Sequence, residues 1–553
     1  MNAAELFIRC LENEGVEYIF GVPGEENAHF LIALEDSPIR FILCRHEQGA
    51  AFMADVYGRL SGRPGVCLAT LGPGATNLVS GVADANMDRA PLIAITGQAD
   101  SRRQHKESHQ YMNVVAMFEP ITKWTQAIIH PDNIPEVVRK AFKLATQEKP
   151  GACHIELADD IAAFPASGKP MPVIKTRRPS PVPELIEEAV GLISQAKKPV
   201  ILAGNGVIRQ GAAEQLLALA ERSRIGVINT FMGKGTVPRQ SEHCLFTIGL
   251  QSHDHILCCL QRADLIITIG YDLVEYAPNL WGRPLTEKNG QKIIHIDCSP
   301  AEIDEHYQVD LEIVGNMGRA LTDLHQALGQ DHRPNHSEEY RDAIRERQLA
   351  DFAAHKDDET RGTIRPQKVL WDVRLAMGPD DIVLSDVGAH KMWVARYYQC
   401  DRPNTCLISN GFCSMGFALP GAIGAKLLHP ERQVMAICGD GGFMMNVQEL
   451  ETARRLGANI IVMIWEDKGY GLIEWKQLNN FGRHSELSFN NPDFVQLAQS
   501  FDCNGIRVSD CQELRPALEE AKGANRPTVI AVNIDYRENL ILSQKLGEIS
   551  CPI

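Results

Sequence analysis

Positive charge is in short supply in this chain. Lys and Arg number 55 against 70 Asp and Glu, a formal net charge of −15. That deficit argues against nucleic acid as a general partner, because phosphate backbones are held by dense Lys/Arg surfaces. An anionic substrate would need local positive charge or a metal. Long apolar runs are also missing. No stretch reaches the ~20 residues that span a bilayer, so no membrane partner is expected. No basic segment leading into an apolar stretch opens the chain. Leu6, Ile8, Leu11 and Val16 instead look like one side of an N-terminal helix. The 15 Cys are odd in number and form no repeated C-x-x-C frame. Those in apolar runs (Cys10, Cys67, Cys258, Cys259 and Cys438) are read as reduced, small, buried residues of a cytoplasmic protein. No short-period repeat is visible.

What is present is ordinary for a globular protein: 553 residues, 44% apolar and 23% charged. A chain of this length exceeds one core, so about two to four domains are expected. Three blocks emerge: 1–164, 184–330 and 362–553. A Pro-rich stretch from Pro165 through Pro183 links the first two and is expected to be extended. Residues 334–361 are highly charged and read as an exposed bridging helix. Within each block, apolar runs of about four to seven residues alternate with helical patterns, the signature of a parallel sheet covered by helices. Strand candidates in the middle block are Pro199–Ala203, Gly226–Asn229, Leu265–Ile269 and Ile293–Ile296. The expected fold is α/β, with three open doubly wound parallel-sheet domains. The first and third blocks are candidates for distant structural copies.

In the third block, the buried-strand run Val434–Cys438 ends at Gly439-Asp440-Gly441-Gly442. A helical segment follows, then a strand over 459–465 that ends at Glu466-Asp467. In a doubly wound sheet, neighbouring strand C-termini form a ligand crevice, which both Asp440 and Asp467 would face. Glycines let backbone N–H groups approach phosphate, and the helix start favours the anion. Two carboxylates beside phosphate make chemical sense with a hard cation between them, and Mg²⁺ is the natural choice. Taken alone, a Gly-Asp-Gly is a tight turn with a surface acid; the strand–loop–helix–strand–acid order carries the stronger reading. In the first block, the strand 39–44 runs into Arg45-His46-Glu47. Glu47 therefore sits at a helix start, where the dipole alone would favour an acid. Leu71-Gly72-Pro73-Gly74 through Asn77 similarly ends the strand 66–70 and caps the next helix.

These pieces together, in this order, resemble the thiamine diphosphate enzymes, most closely the acetolactate synthase large subunits of the catabolic branch. The likeness spans nearly the whole chain. It is densest over Arg103–Gln110, Val115–Lys123 and Ile269–Pro278. The resemblance implies pyrimidine, central and diphosphate domains in chain order. Glu47 would be the acid at the aminopyrimidine N1′, since a desolvated carboxylic acid can share a proton near neutral pH. Arg45 and His46 are assigned to structure. Asp440, Asp467 and the Gly469 carbonyl would hold Mg²⁺; the family usually carries Asn where Asp467 stands. Gly439, Gly441 and Gly442 would approach the diphosphate, and Val387, Gly388, Ala389 and His390 would form a second diphosphate loop. Tyr470, Gly471 and Leu472 would follow the metal. Met415 would wedge between the coenzyme rings, and the Cys413 carbonyl would accept from the 4′-amino group. Pro23, Gly72, Pro73 and Asn77 would lie beside the coenzyme, and Gln110 would hold a substrate oxygen. His105 and His109 are read as structural or solvated.

The implied chemistry is decarboxylation of a 2-keto acid, pyruvate, and carboligation to a second, giving acetolactate-type products. The alternative is a decarboxylase that releases aldehyde without ligation. A third reading, a silent nucleotide-binding scaffold, fits poorly with Glu47, Asp440 and Asp467 occurring together. Partners would be small keto acids and a second copy of the chain, as a homodimer or homotetramer with sites between subunits. A regulatory subunit is neither indicated nor excluded. Two departures stand out. Glu26 replaces a lysine of the catabolic branch, putting an anion near a substrate carboxylate. Trp475 lies one position before the place of the anabolic branch's substrate-selecting tryptophan, which Lys476 occupies. FAD, bound by anabolic relatives, stays open. Gly204-Asn205-Gly206 is a weak dinucleotide signal, and Thr230–Gly235 favours FAD whereas Tyr271–Tyr276 opposes it.

Overall fold

Apolar runs that must be buried on both faces dictate the architecture. The computed structural model of the chain describes residues 1–174, 176–249, 255–288, 290–330, 334–335 and 338–539. Three six-stranded sheets are laid down one after another. The first contains β1 (Tyr18–Gly21), β2 (Arg40–Leu43), β3 (Gly65–Ala69), β4 (Leu92–Gln98), β5 (Trp124–Ile128) and β6 (Ala152–Ala158). The second contains β7 (Pro199–Ala203), β8 (Val227–Asn229), β9 (Cys244–Thr247), β10 (Leu265–Ile269), β11 (Lys292–Asp297) and β12 (Leu311–Val314). The third contains β13 (Ile382–Ser385), β14 (Cys406–Ile408), β15 (Val434–Gly439), β16 (Ile461–Glu466), β17 (Asn504–Val508) and β18 (Thr528–Asn533). The pairings within the sheets are parallel, as in Ile437 with Met463 and Cys67 with Ala94. Strands β3, β4 and β6 are buried along their whole length, which is why they read as unbroken apolar runs rather than alternating ones.

The first sheet runs β2-β1-β3-β4-β6-β5 and the third β14-β13-β15-β16-β18-β17. Numbered within each sheet, both orders are 2-1-3-4-6-5, so the two are structural copies. The middle sheet, β12-β11-β10-β7-β8-β9, has the dinucleotide-fold order instead. The copies join tightly. Helix Ala418–Leu428 packs on helix Glu47–Ser61, where a Cβ on Gly424 would stand 2.6 Å from the Met53 carbonyl oxygen. Phe52 and Phe417 meet edge to face at 5.7 Å nearby.

Some expectations need correction. The bridging segment forms helix Glu339–Ala353, but it is not simply exposed. Arg341, Ile344, Gln348 and Phe352 are buried, and Phe352 packs edge to face on Phe246 of β9. Its apolar stripe is sparse, so charge dominates its composition and hides the packing face. Residues 336 and 337 of that segment lie outside the described residues. Strands β9 and β12 were not anticipated. Cys10, Cys67, Cys259 and Cys438 are buried free thiols, whereas half-buried Cys258 is disulfide-bonded. Among the described residues, no helix is long and apolar enough to cross a membrane.

Candidate functional site

In the third sheet, the strand order reverses between β13 and β15, and the chain segments leaving β13, β15 and β16 converge there. They enclose a cavity of about 90 Å³. Val387, Gly388, Ala389 and His390 line it from the β13 side, and Met415 from the segment after β14. Gly439, Asp440, Gly441 and Gly442 reach it from β15. Asp467, Gly469, Tyr470, Gly471 and Leu472 reach it from β16. Cys413 is not part of the lining; it lies two residues before Met415, in a left-handed backbone with φ 58°.

The two carboxylates confront each other. Asp440 is 1% exposed. Its Oδ2 accepts from the N–H of Lys468 (2.7 Å), that of Asp467 (3.2 Å) and Asn491 Nδ2 (2.8 Å). Oδ1 accepts the Gly441 N–H at 2.8 Å. Burial first, and the facing Asp440 second, push the Asp467 carboxyl up to about 8. A buried acid facing a half-buried one is the donor set that a divalent cation neutralises. Among the described residues, no three His, Cys, Asp or Glu side chains gather round a metal position. A cation here would therefore draw on two carboxylates plus backbone oxygen. An anion also fits. His390 is 2% exposed and kept neutral by burial, which lowers it to about 3, and its Nε2 has no hydrogen-bond partner. It lies at the start of helix Ala389–Tyr397, a place suited to phosphate oxygens. The glycines leave the room: a Cβ on Gly442 would stand 2.5 Å from Asp386 Oδ2.

The first-sheet residues form a second group, apart from that cavity. His46 caps helix Glu47–Ser61, its ring nitrogen accepting from the Gln48 N–H. This sets Glu47 at the first helical position. Glu47 is 8% exposed and accepts from Asn77 Nδ2 at 3.0 Å. Gly74 lies against it, with Thr70 on the same side, and Thr70 Oγ1 donates to Glu26 at 3.0 Å. Buried Gly72, with φ 49°, faces the Gln110 carbonyl. Gln110 is itself left-handed (φ 57°). It is exposed, and so are the side chains of Pro23, Pro73, His105 and His109. Within one chain none of this group lines the Asp440 cavity.

The middle sheet tests the dinucleotide signal. The turn after β7 should present N–H groups to a diphosphate. Instead the Asn205 N–H donates to both Glu275 oxygens (3.0 and 3.0 Å), and Thr230 Oγ1 donates to the same carboxylate. Burial pushes Glu275 up to about 7. Gly204 and Gly206 lie against the backbone of Gly270 and Tyr271 rather than an open cradle. Glu275 thus takes the Asn205 N–H that a diphosphate would need, which counts against the dinucleotide signal of this turn.

Three contributors were not singled out in the sequence. Asn491 reaches Asp440 from a segment that pairs with Gly469 through Ser488. Asp386, pushed up to about 7 by burial, accepts from the Gly416 and Phe417 N–H groups and so places Met415. Fully buried Glu449 accepts from the N–H groups of Arg45 (3.1 Å) and His46 (3.0 Å), clamping the turn that carries Glu47. Only Asp386 had a sequence signal, as an acid ending a strand.

Comparison with known proteins gives a consistent answer. Residues 1–117 match the thiamine pyrophosphate enzyme N-terminal TPP binding domain, 186–324 the central domain, and 386–532 the C-terminal TPP binding domain. The acetolactate synthase of Bacillus subtilis is 34% identical over 98% of this chain and 94% of its own length. A probable acetolactate synthase large subunit of Methanocaldococcus jannaschii is 37% identical over 98% and 93%. The catabolic acetolactate synthase of Raoultella terrigena is 36% identical over 99% and 97%.

Proposed function

The chain belongs to the acetolactate synthase family of thiamine pyrophosphate enzymes, and from that membership we propose that it decarboxylates pyruvate and ligates the two-carbon unit to a second keto acid. The observation that carries this reading is the cavity where Asp440 and Asp467 face one another beside the unpartnered His390 Nε2. Bound thiamine diphosphate would supply a nucleophilic carbon and an electron sink for loss of carbon dioxide. Asp440, Asp467 and the Gly469 carbonyl hold Mg²⁺, and the turns at 387–390 and 439–442 hold the diphosphate. Met415 and Cys413 shape the ring site. Glu47, oriented by Asn77, holds and moves the proton at the aminopyrimidine N1′. Gln110 orients an oxygen of the acceptor and brings no acidic proton of its own. No role is assigned to FAD.

Glu47 and the Asp440 cavity are separate within one chain, so the working unit is a homodimer or homotetramer in which one copy's Glu47 face covers another's cavity. Exposed Phe412, Met444, Met445, Tyr470 and Ile473, on or beside the cavity-forming segments, supply apolar surface for that contact. Buried free thiols such as Cys67, Cys153 and Cys438 suit a reducing, cytoplasmic setting, with the disulfide-bonded Cys258 as an observation on the other side. Carbon balance with purified protein, pyruvate, thiamine diphosphate and Mg²⁺ is the test. One acetolactate and one carbon dioxide per two pyruvates is expected. Free acetaldehyde with no acetolactate would establish the non-ligating decarboxylase instead.

A further inference from the structure

Lys391 is the third residue of helix Ala389–Tyr397, which starts at the cavity, yet its side chain is 5% exposed. The other deeply buried lysines have oxygen partners. Lys234 Nζ donates to the Ala395 carbonyl and Thr247, and Lys368 pairs with Asp372. Lys391 Nζ has a thiol, Cys413 Sγ at 3.1 Å, and an aromatic face, Phe231 at 5.8 Å. No carboxylate among the described residues forms an ion pair with it. An ammonium carries three donors, and burying it without an anion is costly. A thiol and a ring face do not discharge that cost.

The place of this charge gives it meaning. Ala389 and His390, just before it, line the cavity, and Met415, two residues beyond Cys413, lines it too. Cys413, the thiol partner of the ammonium, is itself exposed. The first-sheet group, which the proposed assembly would bring to the cavity from another copy, carries acids: Glu47, and Glu26 held by Thr70. We infer that Lys391 is the substrate-recognition cation, its ammonium passing from the Cys413 thiol to the carboxylate of the incoming 2-keto acid. The inference rests on the keto-acid reading above. The same charge could serve a second source of anionic oxygen, the coenzyme diphosphate, and the experiment separates the two.

Lys391→Met, Lys391→Gln and Lys391→Arg are compared with the parent as holoenzymes carrying thiamine diphosphate and Mg²⁺. The probe is oxamate, a pyruvate isostere that does not react, titrated by calorimetry. Lys391→Met and Lys391→Gln should weaken oxamate roughly 10- to 100-fold, the scale of one charge-assisted hydrogen bond. Lys391→Arg should keep affinity within a few-fold. Pyruvate KM should rise by the same factor with little change in kcat, and coenzyme affinity should hold. Lys391→Met removes an unneutralised buried charge, so the melting temperature of the coenzyme-free protein should not fall. Unchanged oxamate affinity in either folded variant overturns the inference, as does a parent holoenzyme that binds no oxamate. A loss of coenzyme affinity assigns the charge to the diphosphate, and a lower melting temperature in Lys391→Met makes the lysine structural. A parent that binds oxamate but does not consume pyruvate sinks the proposed reaction while leaving Lys391 as a carboxylate receptor.

Discussion

Glu47 shows how little of a side chain's role is its own. A helix-start glutamate is common; this one is buried to 8% exposure and has an amide donor, Asn77, 30 residues away in sequence. Glu47→Gln preserves shape and removes ionisation. Turnover should fall about 10²-fold or more, the scale of general acid–base catalysis, while coenzyme binding measured by fluorescence titration is largely retained. Unchanged turnover would remove Glu47 from the chemistry. A second residue-scale outcome concerns stability. His154 is fully buried, stacked on Phe118 at 4.2 Å and placed between the Thr96 and Thr125 hydroxyls. Burial lowers it from 6.5 to about 3. Between those values the unfolded chain binds the proton and the folded one does not. Its contribution is therefore complete above pH 6.5 and is lost as pH falls toward 3, by up to about 1.4 kcal/mol per pH unit. Urea midpoints at pH 7 and 5 should show a shallower slope in His154→Gln than in the parent. Equal slopes would reject it.

At the scale of elements, the site depends on clamps between units far apart in sequence. Helix Glu449–Leu456 holds the turn between β2 and helix Glu47–Ser61 through Glu449, while Thr452 Oγ1 donates to the other carboxylate oxygen. Burial pushes Glu449 up to about 7, yet in either protonation state it offers an acceptor to Arg45 and His46. Glu449→Ala removes the acceptor of two part-buried N–H groups and should cost about 1–3 kcal/mol, whereas Glu449→Gln keeps the acceptor and should cost under about 1 kcal/mol. Chemical denaturation compares them, and equal losses would show that the clamp does not act through acceptance. Much of the element pattern was readable beforehand. Strands β7 and β10 fall on the expected residues, because strands buried on both faces announce themselves as short apolar runs. Helix Glu339–Ala353 was misread as exposed, because one buried stripe in a charged helix barely alters its composition.

For the whole molecule, the Glu47 group does not line the Asp440 cavity within one chain, and the proposed site takes its two halves from different copies. Mixing Glu47→Gln protein with Asp440→Ala protein should therefore restore activity, since exchanged subunits can pair an intact Glu47 with an intact Asp440. At equal mixing about one site in four should be intact if pairing is random. A fully active monomer at high dilution would contradict the arrangement. The amino-acid sequence by itself determined the α/β class, the three successive sheets and the facing of the Asp440 and Asp467 turns, while the 387–390 turn was tied to them only through the resemblance to the thiamine diphosphate enzymes. Each of these rests on local order: a buried strand, a glycine turn, a helix start, with the ligand crevice implied at the strand ends. Tertiary structure alone decided the rest. Glu449 meets Arg45 across 404 positions, Asn491 reaches Asp440 across 51, Glu275 fills the Asn205 turn across 70, and Lys391 meets Cys413 across 22. Such pairs are set by which sheet edges and helices the fold brings together. No spacing rule along the chain encodes them, so the residues that close, clamp and charge the site became visible only once it was folded.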